Sequence, residues 1–140
     1  MPILNYTTKV PVSSTMAEIQ KILVKAGANA VLSEYGPDGS VSAVSFRIED
    51  KSGPIHYKLP ADIDGVERAL KKDKEYRDRA HAERVAWRIV KDWIEAQMAI
   101  VQAQMAELPQ VFLPYAQTNT GETVYERIKG NGYKLLGGNQ

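Results

Sequence analysis

Residues 78–108 carry the pattern that most constrains this chain. Placed at 100° per residue, Arg84, Arg88, Lys91, Asp92, Glu95 and Gln102 form one narrow polar ridge. One apolar stripe runs through Ala82, Ala86, Ile89, Trp93, Ala96, Ile100 and Ala103. A second runs through Trp87, Val90, Ile94, Met98, Val101, Met105 and Leu108. Together they cover more than half the circumference, where one core contact needs a stripe of roughly 100°. The pattern predicts a long helix that buries two faces, one against its own domain and one against a partner. Gln97 and Gln104 sit near the middle of the apolar arc. An amide in an apolar seam costs free energy unless it is bonded, and it can fix register between paired helices. A homo-oligomer through Trp87, Val90, Ile94, Gln97, Val101 and Gln104 is therefore expected.

The rest of the chain alternates short elements. Ile3–Val10 reads as a strand with Leu4, Tyr6, Thr8 and Val10 on one face. Thr15 and Glu18 have capping-box spacing ahead of a helix carrying Ile19, Ile22 and Leu23, which Gly27 would stop. Strands are expected at 30–35, 41–48 and 55–59, with turns at Gly36–Gly39 and Asp50–Gly53. Asp62 can cap a short helix reaching Lys72. A charged connector, Asp73–Arg79, leads into the long helix, which Pro109 would end. Val111–Tyr115 reads as extended, Asn119-Thr120-Gly121 as a turn, and Thr123–Glu126 as a second capping box opening a final helix to Lys129. The order β-α-β-β-β-α-α with short connections predicts an α+β fold with an antiparallel sheet. The clean alternation leaves the far sheet face to solvent or a partner. The expected organisation is one domain, residues 1–140: a sheet layer over 1–72, the long helix over 78–108, then an extended segment, short helix and loose tail over 109–140.

Composition removes several functions. The chain has no cysteine, which excludes disulfides, thiolate nucleophiles and cysteine metal sites. A net charge of +1 gives no global pull toward nucleic acid or membrane. No signal-peptide pattern or membrane-length apolar run is present, so a cytoplasmic protein is expected. Charge is uneven, however. Residues 68–91 hold nine of the 18 Lys and Arg against four carboxylates, a net +5, and the remainder is −4. Within that segment Arg77, Arg84, Arg88 and Lys91 follow at spacings of 7, 4 and 3, a ridge able to track phosphates. The competing reading is a solvated face laced by pairs such as Arg88–Asp92, Lys91–Glu95 and Glu75–Arg79.

Catalytic signatures are sparse. His56 and His81 are isolated and read as solvated residues. The carboxylate pairs Asp62/Asp64 and Glu49/Asp50 fall where turns and helix caps favour such residues anyway. No metal and no cofactor are expected. Residues 15–72 have the helix, three strands, helix order of double-stranded RNA-binding domains, and Gly53-Pro54-Ile55-His56 resembles their loop. Here that motif precedes the third strand instead of the second, and Ala61–Asp64 is acidic where that family is lysine-rich, so the match is set aside.

Val85–Met98 followed by Val111-Phe112-Leu113-Pro114-Tyr115 resembles a group of small uncharacterised proteins encoded by phages and prophages. The resemblance spans Leu4–Tyr125 and carries no catalytic motif. It implies a phage-type accessory protein, and such proteins often inhibit host defence or sequester its signals. Three readings follow. The first is a non-enzymatic, oligomeric inhibitor or sponge that binds a host protein or an anionic nucleotide through Arg77, Arg84, Arg88 and Lys91. The second is a nucleic-acid-binding accessory of phage replication or recombination using the same ridge. The third, an enzyme using Asp62, Asp64 or His56, is weakest because no nucleophile is paired with a base.

Overall fold

Alternation of apolar residues in the middle of the chain produces a three-stranded antiparallel sheet. In a computed structural model that describes residues 2–137, β1 (Ala30–Tyr35), β2 (Val41–Asp50) and β3 (Gly53–Pro60) pair in the order β1-β2-β3. Val44 and Phe46 of β2 are buried with Tyr57 and Leu59 of β3, while Ser45, Arg47, His56 and Lys58 alternate onto the opposite face. The register is regular from Ala30 to Glu34 and breaks at a bulge between Glu34 and Tyr35.

Helices cover one face of the sheet. These are α1 (Val12–Lys25), α2 (Ile63–Leu70) and α3 (Arg79–Gln102), followed by α4 (Leu108–Phe112), a 3-10 turn at Leu113–Tyr115 and α5 (Val124–Gly130). The architecture is α+β, with a small antiparallel sheet and one long helix. Ile19 and Leu23 of α1, Trp87, Ile94 and Met98 of α3, and Phe112 of α4 close one core against the sheet. Phe46 stacks on Tyr57 with ring centres 5.0 Å apart, and Phe112 meets both rings edge-on. Ile63 of α2 joins Ala82 and Ala86 in a second, smaller cluster. Each fully buried large side chain contributes roughly 1.5–3 kcal/mol, so α3 is held chiefly by what it packs against on its own chain.

Several local expectations are corrected. Ile3–Val10 is not a strand. Asn5 adopts φ 65°, and Thr8 N–H donates to the Asn5 carbonyl, which coils the segment over the start of α3. Asn5 also donates to Asp92 at 2.8 Å. The opening element is therefore a coil, and the order begins with α1. That helix starts at Val12, with Pro11 as N-cap, so Thr15 lies inside it and is fully buried. The Thr15–Glu18 capping box does not form, because Arg88 takes both side chains from across the helix interface. Gly27, at φ +109°, does end α1.

The long helix is shorter than its apolar pattern. Asp78 caps it by accepting from His81 N–H at 2.7 Å. It ends at Gln102, well before Pro109. Met105 N–H donates to Ile100 O and Gln104 N–H to Val101 O, the two bonds of a Schellman motif with Gln104 at the left-handed position. Pro109 instead stands in the first turn of α4, where a missing N–H is tolerated. Val111–Tyr115 is thus helical and not extended. Thr123 and Glu126 form the expected capping box of α5, and Glu126 has its carboxyl lowered by the Thr123 backbone and hydroxyl bonds. Of the expected loose tail, residues 138–140 lie outside the described residues.

Candidate interaction surface

Two of the four cations of the α3 ridge, Arg88 and Lys91, are paired with carboxylates of their own chain. Arg88, with its side chain 16% exposed, pairs with Glu18 of α1 and donates to Thr15 at 3.3 Å. Lys91, 12% exposed, has Glu95 at 3.3 Å, Asp92 at 3.7 Å and Glu18 at 4.0 Å. Arg84 donates to the ring of His81 at 3.2 Å. Arg77 is exposed but precedes the helix. The four residues therefore do not form a continuous phosphate track. Arg88 and Lys91 belong to the α1–α3 interface, because a partly buried cation needs a carboxylate close by.

The expected oligomer seam is also divided. Trp87 and Ile94 are fully buried in their own core, and the Trp87 indole N–H donates to Val41 O at 3.2 Å. Neither is free for a partner. Val90 packs half-buried on the same core. Gln97 and Val101 are half-buried, and Gln104 is exposed beyond the helix end, so Gln97 and Gln104 share no helical seam. The two apolar stripes inferred for α3 are covered only in part: Ala96 is exposed, and Ala103, Met105 and Leu108 lie beyond the helix end. The cover that the stripes have is α1, α2, the sheet and α4, because the folded-back C-terminal segment brings Phe112 and Tyr115 onto Trp93 at 5.3 Å each.

His81 is the main residue misplaced by the sequence reading. It is buried, bonded through Nε2 to the Tyr6 carbonyl and tilted against Tyr76 at 5.1 Å. Its role is to pin the N-terminal coil to α3. The carboxylates stay structural. Asp62 caps α2 at Gly65 N–H, 2.9 Å away, and Asp64 has its carboxyl lowered by the Arg79 guanidinium that bonds it. Glu49 accepts from Asn29 at 3.3 Å.

The uncovered chemistry lies on the open face of the sheet. Arg47 stands opposite His56, and Ser45 opposite Lys58, in adjacent rows of β2 and β3. With Ala30, Leu32, Glu34 and Gln117 they rim a shallow hollow of about 510 Å³. Glu34 accepts from Ser45 at 2.8 Å and pairs with Lys58 at 3.4 Å. Arg47 donates to the neutral Asn29 amide at 2.8 Å and has no carboxylate partner among the described residues. Leu32, at 61% exposed, is the apolar centre of this face. Strand alternation placed these residues outward, but their sequence separation hid that they meet. Among the described residues, no helix is long and apolar enough to cross a membrane.

Searches against protein-family models, curated proteins and solved structures return no match for this chain.

Proposed function

We propose that this chain is a non-enzymatic binding protein of the phage accessory kind, acting as a stoichiometric inhibitor of a protein target. Its recognition surface is the open sheet face, in place of the α3 ridge. The observation that carries this reading is the juxtaposition of Arg47, His56 and Lys58 with Ser45 around exposed Leu32. Arg47, which has no carboxylate of its own among the described residues, favours a carboxylate-bearing partner, and Leu32 supplies an apolar contact. The hollow is open, whereas small-molecule sites bury most of a ligand's surface. A broad acidic protein surface fits it better than a nucleotide. The phage context rests on the sequence resemblance over Val85–Met98 and Val111–Tyr115.

The test is a ¹⁵N-NMR titration with three probes: a glutamate-rich peptide, a mononucleotide and single-stranded DNA. The peptide is expected to shift Arg47, His56 and Lys58, and an Arg47→Glu, Lys58→Glu double variant to weaken it about tenfold or more. Nucleotide shifts at the same residues, without peptide shifts, would replace the protein target by a sequestered signal. DNA shifts centred on Arg77 and Arg84 would replace both by a nucleic-acid accessory role.

A further inference from the structure

The two edges of the sheet are treated differently by the chain. On the β3 side, Ala116 bridges to Tyr57, and Gln117 N–H donates to the His56 carbonyl at 2.7 Å, so the chain's own C-terminal segment covers that edge. On the β1 side no strand of the described residues covers the edge. An uncovered edge presents backbone donors and acceptors ready for another strand, and proteins usually blunt it with lysine, proline or a bulge. β1 reads Ala-Val-Leu-Ser-Glu-Tyr, with no lysine or proline, and its bulge lies only at the far end. Beside it, between α1 and β1, runs a trough of about 430 Å³ lined by Val12, Met16, Val31 and Val44 together with Ser13, Gln20 and Ser33.

We infer that a second copy of this chain occupies this edge, pairing β1 antiparallel with β1 about a two-fold axis at Leu32. The register follows from the strand itself. Its regular run is Ala30–Glu34, and Leu32 is the midpoint. A two-fold pairing there sets Leu32 against Leu32 of the second copy and buries the most exposed apolar group of the open face. It also sets Ala30 against Glu34 of the second copy. Arg47 is the neighbour of Ala30 on the other side. The row then reads Arg47, Ala30, Glu34 of the second copy, over two strand spacings of about 5 Å each. That brings the arginine that lacks a carboxylate within reach of one, twice per dimer. Glu34 keeps acceptor capacity for it, since Ser45 and Lys58 use one contact on each oxygen. Val31 of the second copy falls opposite Ser33, at the rim of the trough. The result is one six-stranded sheet with a continuous open face. Because Leu32 and Arg47 also belong to the proposed recognition surface, the dimer and a bound target exclude one another there, and the dimer is read in the absence of any target.

Because the chain has no cysteine, a single Leu32→Cys substitution is a clean probe of the axis. Directly opposed residues of an antiparallel pair lie about 4.5–5.5 Å apart at Cα, which a disulfide spans. At about 100 µM chain, where a micromolar dimer is populated, mild oxidation should trap Leu32→Cys as a linked dimer. The control Met105→Cys, at a position even more exposed than Leu32, should lag far behind. In sedimentation velocity the unmodified chain should dimerise, and Leu32→Lys should raise the dimer dissociation constant about tenfold or more, with an unchanged circular-dichroism melt at a dilution where both are monomeric. A monomeric unmodified chain at that concentration overturns the inference. So does a dimer that Leu32→Lys leaves intact and Val101→Asp disrupts, which would return assembly to α3.

Discussion

The indole N–H of Trp87 donates to the main-chain carbonyl of Val41 at 3.2 Å, inside a fully buried contact between α3 and the first residue of β2. One bond thus ties the long helix to the sheet at the point where a greasy helix face alone could have slid. It also explains why Trp87 is not available to a partner chain. Replacing Trp87 by Phe keeps an aromatic ring but removes the bond to the Val41 oxygen and leaves a void. The expected loss is about 2–4 kcal/mol, read as a lower urea midpoint at constant slope. A loss under about 0.5 kcal/mol would mean that α3 is not anchored there.

Arg88 and Glu18 join α3 to α1. A double-mutant cycle with Arg88→Ala and Glu18→Ala should return a coupling of about 1 kcal/mol, above that of a fully exposed pair because Arg88 is half-buried. The unfolding midpoints of the four proteins supply the number. Zero coupling, together with loss of DNA affinity on Arg88→Ala, would restore the phosphate-tracking ridge.

Gln104 holds a left-handed conformation, φ 61°, that glycine adopts at less cost. Gln104→Gly is therefore expected to stabilise the fold by about 0.5–1 kcal/mol, seen as a higher melting temperature. Were residue 104 part of a helical interface, the same change would destabilise by a similar amount.

Tyr57 is 1% exposed, and its hydroxyl has no hydrogen-bond partner among the described residues. Tyr57→Phe removes an unsatisfied buried group, so stability should rise by about 1 kcal/mol at neutral pH. Burial, with the Asp50 charge adding to it, pushes the Tyr57 phenol up from 10.0 to about 12. Below pH 10 both folded and unfolded chains keep the proton, and its contribution is complete. Between pH 10 and about 12 the unfolded chain ionises first, so stability falls with rising pH, by about 2–3 kcal/mol across the window. Tyr57→Phe should lose this share of the alkaline decline in pH-dependent urea melts. An unchanged decline would remove Tyr57 as its cause.

The strands were legible because period-two alternation and the turns at Gly36–Gly39 and Asp50–Gly53 agree with one another. The caps at Asp62 and Thr123 were legible for the same local reason. What failed was decided by contacts distant in sequence. Leu4, Tyr6, Thr8 and Val10 alternate like a strand, yet His81 and Asp92 of α3 draw that segment into a coil. Thr15 and Glu18 match a capping box, yet Arg88 claims both. Part of the apolar girth of α3 is covered by its own chain, and the folding-back of Phe112 and Tyr115 through α4 that supplies some of this cover is hidden in the sequence by two prolines that look extended. The open-face group of Arg47, His56 and Lys58 was missed because each residue, taken alone, is an ordinary outward strand position.

Hydrogen exchange read by mass spectrometry at two protein concentrations tests most directly whether α3 is sheltered by its own chain while β1 is the edge left free. Peptides covering residues 82–94 should be strongly protected, to the same degree at low and high concentration, and those covering Ala30–Tyr35 should gain protection as concentration rises. Concentration-dependent protection confined to α3, with β1 unchanged, would contradict it.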